Sequence, residues 1–246
     1  PLGLEIERAE GVYLFDTSGK NYIDLISGIG VSALGHCHPK IVNAVQQQAA
    51  KYMHTMVYGE YIQSPQVQLA QLLCEVLPDS LNAVYFTNSG TEATEGAMKL
   101  SKRFTGRTEI ISCYNSYHGS TQGALSLNGD EYFKSNYRPL VPDTRQIRYN
   151  NLDDIKLITK RTAAVFLEPV QAEAGVIVPD ENYLQAVRKR CNETGTLLVL
   201  DEIQTGFGRT GTFFALEQYG IVPDVLLLAK AMGGGMPIGA FISSKA

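Results

Sequence analysis

Residues 11–25, GVYLFDTSGKNYIDL, alternate apolar and polar positions on either side of an Asp-Thr-Ser-Gly turn. That period of two predicts a β-hairpin, with Gly19 supplying the positive φ of the turn. The period then lengthens. PKIVNAVQQQAAKYM, from Pro39, and the stretch Gln66–Val76, opened by Ser64-Pro65, carry apolar residues three and four apart. They predict two helices, each with proline in the tolerated first turn.

From residue 83 short apolar runs alternate with amphipathic stretches. The runs are AVYFT at Ala83, EIISC at Glu109, AAVFLEPV at Ala163, TLLVLDEI at Thr196 and DVLLLAKA at Asp224. Several lack in/out alternation, as strands buried on both faces should. Helical patterns lie between them near Thr91–Phe104, Asp153–Thr159 and Glu181–Thr194. Strand–helix–strand order predicts an α/β fold with a mainly parallel sheet flanked by helices. No repeat, low-complexity tract or Pro/Gly/Ser-rich linker interrupts it.

Length and composition narrow the function. A chain of 246 residues, 44% hydrophobic and 19% charged, suits one large α/β domain or two small ones and excludes a mainly disordered chain. The formal charge of −4 offers no basic surface for a phosphate polymer, so no nucleic-acid partner is expected. No apolar run is long enough to cross a bilayer, so no membrane association is expected. Cys37, Cys74, Cys113 and Cys191 are scattered without a C-x-x-C pair, which favours buried apolar residues over disulfides or a metal site. With no basic-then-apolar leader, the expected location is cytoplasmic.

Candidate chemistry sits where the predicted strands end. Open α/β sheets bind ligands outside the carboxyl ends of their strands. One run delivers Asn88-Ser89-Gly90-Thr91, another Glu168, a third Asp201-Glu202 and a fourth Lys230. The first of these fits a plain helix N-terminus, with Thr91 as cap and Glu92 and Glu95 favoured by the dipole, and equally an anion cradle. Asp201, after five residues Thr196–Leu200, is poorly placed for a solvated acid. Lys230 leaves a buried run for the flexible Met232-Gly233-Gly234-Gly235 segment, so it is either a desolvated nucleophilic amine or a lysine snorkelling out of the sheet. Amine, carboxylate and phosphate cradle together describe a pyridoxal phosphate site. Nucleotide alternatives fit less well, because neither G-x-x-x-x-G-K-[ST] nor a strand-following G-x-G-x-x-G is present.

LVLDEIQTGFGRTG from Leu198 and DVLLLAKAMGGGMPIGA from Asp224 resemble the signature region of class-III pyridoxal phosphate aminotransferases. TNSGTEATEGAMKLSK from Thr87, YHGST from Tyr117, EPVQAEAG from Glu168 and GHCHPKIVNAV from Gly35 match that family in the same order. The resemblance implies a fold-type-I large domain over residues 61–246, preceded by part of an N-terminal segment over residues 1–60. It implies Lys230 as the Schiff-base lysine and Asp201 as partner of the pyridine nitrogen. Gln204 would reach the ring hydroxyl, Ile203 and Tyr117 would pack on opposite ring faces, and Ser89, Gly90 and Thr91 would bind the phosphate. Glu168 would support the ring, Glu173 would face the substrate, and His118 is either a cofactor contact or a packed loop histidine.

The implied activity is ping-pong amino transfer from an acetylornithine- or ornithine-like donor to a 2-oxo acid such as 2-oxoglutarate, in a homodimer. Two departures bear on it. Family members run well past GGGMPIGAF into a C-terminal small domain, whereas this chain stops at Ala246, so it reads as part of a longer enzyme. Acetylornithine, ornithine and 4-aminobutyrate members commonly carry F-H-G-R-T, while YHGST has Ser120 in place of the arginine, and Ala172 stands where glycine is frequent. Other ω-aminotransferases, aminomutases and decarboxylases share the scaffold, and a non-catalytic cofactor-binding dimerisation domain is the reading from a different class.

Overall fold

The computed structural model describes residues 3–56 and 59–245. Its N-terminal part is a three-stranded antiparallel sheet of β1 (Ile6–Glu10), β2 (Tyr13–Asp16) and β3 (Asn21–Ile23). The expected hairpin is β2–β3, and Gly19 takes a φ of 84° in its turn. Asp16 closes that turn by accepting hydrogen bonds from the Ser18 and Lys20 amides. β1, not expected from the sequence, adds to the free edge of β2. The helix Pro39–Lys51 stops two residues before the expected Met53, and Ser64–Val76 forms the second helix.

The larger sheet has seven strands in the order β4-β10-β9-β8-β7-β5-β6. They are β4 (Ala83–Thr87), β5 (Glu109–Cys113), β6 (Thr144–Ile147), β7 (Thr162–Leu167), β8 (Leu197–Asp201), β9 (Val225–Leu228) and β10 (Gly239–Ser243). Pairs from β6 to β9 are parallel; β10 runs antiparallel to both neighbours, which leaves β4 pointing the same way as β9. The carboxyl ends of β4, β5, β7, β8 and β9 therefore share one edge.

Both faces of the sheet are covered, which explains why its central strands read as continuous apolar runs. Ile110, Ala164, Phe166, Val199 and Leu227 pack with Ala93, Ala97 and Met98 of the helix Gly90–Thr105. Ile111, Val165, Leu167, Leu198, Leu200, Leu226 and Leu228 face the other layer, with Leu184, Val187 and Cys191 of the helix Tyr183–Thr194. Several elements differ from the sequence expectation. Asp153–Thr159 yields only a 3-10 turn, Asp154–Leu157. A short helix, Gln122–Leu127, and the strands β6 and β10 were not expected.

All four cysteines are free; Cys113 and Cys191 are buried, but Cys37 is exposed, contrary to expectation for a buried apolar residue. Among the described residues no helix is long and apolar enough to cross a membrane. The limits of the expected division of the chain, Pro1 and Ala246, lie outside the described residues.

Candidate active site

The strand ends enclose a cleft of about 380 Å³. Ser89, Gly90, Thr91, Tyr117, His118, Glu168, Glu173, Asp201, Ile203, Gln204 and Lys230 all line it. Glu202 does not. Neighbouring residues on a strand project to opposite faces, and Glu202 is buried behind the sheet edge, accepting from the amides of Ala215 (2.7 Å) and Leu216 (2.7 Å) and from the Thr205 hydroxyl (3.1 Å). It is an anchor for the segment after β8.

Lys230 stands two residues past the end of β9, half-buried, in a left-handed backbone conformation with φ of 48°. Such a conformation costs free energy in a residue with a Cβ and persists where surrounding structure imposes it. Its Nζ donates to Gln204 Oε1. Burial pulls the ammonium below the usual lysine value, against the opposing charges of Asp201, Glu173 and Glu168. A lysine so placed gives up its proton more readily than one in water.

Asp201, the last residue of β8, is fixed at both carboxylate oxygens: Oδ2 lies 2.7 Å from His118 Nδ1, and Oδ1 accepts from the Ile203 amide at 3.0 Å. His118 is thereby a buried partner of Asp201, which the sequence reading had left open. Burial opposes charge on the imidazole, but the hydrogen bond and charge of Asp201, aided by Glu168, push its pKa up overall. Among the described residues, His118 Nε2 is buried without a partner. Asn128, also missed in the sequence, holds the histidine's backbone by accepting from the His118 amide (2.8 Å) and donating to the Gly119 carbonyl (2.9 Å). An asparagine directly after the apolar run ALSL was the available signal.

Glu168, one residue beyond β7, is buried and accepts from the Tyr117 amide at 3.1 Å. Burial, opposed by His118 and reinforced by Asp201, pushes its carboxyl up to about 7. Tyr117 is held edge-on against Phe133. The helix Gly90–Thr105 begins after β4, and its cap is Ser89, not Thr91: Ser89 Oγ accepts from the Glu92 amide at 3.3 Å. Of the two expected acids, Glu92 sits in the first turn and closes its own helix end by accepting the Asn88 amide, whereas Glu95 reaches across to the helix Gln122–Leu127. The amides of Gly90 and Thr91 open the helix, where intrahelical geometry offers them no acceptor. Gly119 (φ 131°) packs directly on Thr91, where a Cβ would collide with the threonine side chain.

These features fit pyridoxal phosphate. A 16-residue helix presents free N–H groups for a phosphate, an amine of lowered basicity projects into the cleft, and a braced carboxylate lies on the adjacent strand.

The chain matches the description "Aminotransferase class-III" over residues 1–246. It is 46% identical to the acetylornithine aminotransferase of Methanopyrus kandleri, over 95% of this chain and 60% of that protein. The acetylornithine aminotransferase of Methanosarcina mazei is also 46% identical, over 96% of this chain and 60% of its own length. A transaminase from the marine bacterium Virgibacillus superposes with a TM-score of 0.93 at 33% identity, covering 98% of this chain and 59% of that one. The Toxoplasma gondii ornithine aminotransferase, which has been crystallised with pyridoxal phosphate partly occupying its active site, gives a TM-score of 0.92 at 29% identity over 99% of this chain and 59% of its own. The chain thus spans about 60% of the length of the curated relatives it matches. A family match that runs from the first residue to the last, on a fold shared with solved transaminases, shows that the chain belongs to the class-III aminotransferases, a family dependent on pyridoxal phosphate.

Proposed function

We propose that the protein transfers an amino group from an acetylornithine- or ornithine-like donor to a 2-oxo acid such as 2-oxoglutarate, in two half-reactions that share one site. The observation that carries this reading is the placement of Lys230: an amine of lowered basicity, tied to Gln204, one strand away from Asp201. Pyridoxal phosphate, when bound, supplies a carbonyl that takes the donor amine and a conjugated ring that accepts electrons from the donor carbon.

The residues divide the remaining work. The Gly90 and Thr91 amides would hold the phosphate, and Tyr117 and Ile203 would flank the ring. Asp201, braced by His118 and the Ile203 amide, would be the carboxylate that partners the ring nitrogen. Lys230 Nζ moves a proton at the donor carbon; a general base of matched pKa contributes roughly 10²–10⁴-fold. Gln204 Oε1, as acceptor, steadies that amine. Glu173, exposed at the cleft, and Ser120 belong to the donor side. A carboxylate there suits ornithine, whose second amine is cationic, more than acetylornithine, whose second nitrogen is a neutral amide.

The reading includes a homodimer. Leu25 (89% exposed), Met53 (88%) and Ile62 (88%) are large apolar side chains left to solvent by this chain, and a second copy would cover them. The four free thiols fit a reducing compartment, the cytoplasm. Acetylornithine, ornithine, 4-aminobutyrate and simple diamines, each tested with 2-oxoglutarate and with pyruvate, decide the reading. Glutamate formed from an acetylornithine- or ornithine-like donor is the expected result; release of carbon dioxide or an isomerised amine instead would overturn it.

A further inference from the structure

We propose that Glu95 is a positioning residue for the Ser89–Thr91 turn, acting through the hydroxyl of Thr121; the proposal rests on that turn's holding the cofactor phosphate. Glu95 Oε1 accepts from the Thr121 hydroxyl (2.7 Å), the Gly123 amide (2.7 Å) and the Ala124 amide (3.1 Å). The Thr121 and Thr91 hydroxyls are themselves 2.7 Å apart, a contact in which either oxygen could donate. A threonine hydroxyl has one proton, and Thr121 commits its own to Glu95. Thr91 is therefore the donor between the two hydroxyls, and its oxygen also accepts the Thr121 amide at 3.2 Å.

Two consequences follow for the cleft. The Thr91 hydroxyl proton points towards Thr121, so an anion at the turn is met by the backbone amides of Gly90 and Thr91. The same chain of bonds fastens the first turn of the helix Gly90–Thr105 to the segment after Gly119, which already presses on Thr91. Holding the turn in one geometry before a ligand arrives strengthens binding by lowering the ordering cost. Glu95 touches neither substrate nor cofactor; it acts through the two threonines.

The test compares pyridoxal 5′-phosphate with pyridoxal, which lacks the phosphate, titrated against the apo protein by absorbance and intrinsic fluorescence. The affinity ratio of the two ligands isolates the turn. Glu95→Ala and Thr121→Val should each lower that ratio about tenfold, the scale of one charge-assisted hydrogen bond. Glu95→Gln and Thr121→Ser, which keep the acceptor and the hydroxyl, should restore it. An unchanged ratio in Thr121→Val, or equal losses for both ligands, would overturn the proposal. Thr121→Val leaves Glu95 bonded to Gly123 and Ala124, so it decides the matter even where Glu95→Ala fails to fold. A native protein with no preference for the phosphorylated ligand would instead overturn the reading of the turn as a phosphate site.

Discussion

His118 Nδ1 lies 2.7 Å from Asp201 Oδ2, with the two side chains 0% and 4% exposed. A carboxylate removed from water needs such a partner, and taking the partner away leaves its charge uncompensated. His118→Phe keeps an aromatic ring in the space but deletes the hydrogen bond. It should lower unfolding free energy by about 3 kcal/mol. Denaturant titration checks this; a loss indistinguishable from zero would make the histidine a space-filler.

Lys230→Ala should abolish amino transfer, a loss of at least roughly 10²-fold from the general base alone. Retention of pyridoxal phosphate without a covalent link should survive, because the turn and Asp201 are untouched. Borohydride treatment followed by peptide mass analysis should find the cofactor on Lys230 in the native protein and nowhere in the variant. A variant with native turnover would remove Lys230 from the chemistry.

Glu168 supplies a pH dependence. Its carboxyl is raised from the ordinary 4.5 to about 7, so the folded protein holds a proton that the unfolded chain has lost across that window. The stabilisation from that proton is full below about 4.5 and is lost as pH rises through about 7. His118, also raised, works in the same direction. Glu168→Gln should remove the Glu168 part, gaining stability relative to the native protein between pH 4.5 and 8 by on the order of 3 kcal/mol at most. Thermal melts of both proteins across this range test it; parallel curves would show that the carboxyl is not raised.

Glu202→Ala should act on the fold. It strands the buried amides of Ala215 and Leu216, at a cost of roughly 3 kcal/mol in stability. Cofactor affinity measured well below the melting temperature should stay near native. A selective loss of affinity with normal stability would move Glu202 into the site.

The contrast between Asp201 and Glu202 shows what the sequence could and could not convey. The run TLLVLDEI announced a buried strand ending in acids, but which of two adjacent acids faces the cleft depends on the strand's register. The runs of β5, β7, β8 and β9 were legible because both their faces are buried. β6 was not, since TRQI is a polar strand at the sheet edge, and β10 was hidden by the glycines of GGGMPIGAF, whose role as a strand appears only between β4 and β9. The polar strand ends were visible as candidates. The links joining them, His118 to Asp201 and Glu95 to Thr121, span 83 and 26 residues, and no local pattern encodes such separations.

The hairpin formed by β9 and β10 bears on how this scaffold tolerates change. Lys230 sits at the near root of the connecting loop, just after Leu228, which pairs with Ala240 on the returning strand. Met236 and Pro237, farther along, also face the cleft. Substitutions or insertions at the loop's far side can reshape the room available to a donor while the root keeps the amine in register with β8. On the proposed function, selectivity and reactivity would be separately adjustable within one short stretch of chain, with Met236 as the starting point for redirecting the donor range.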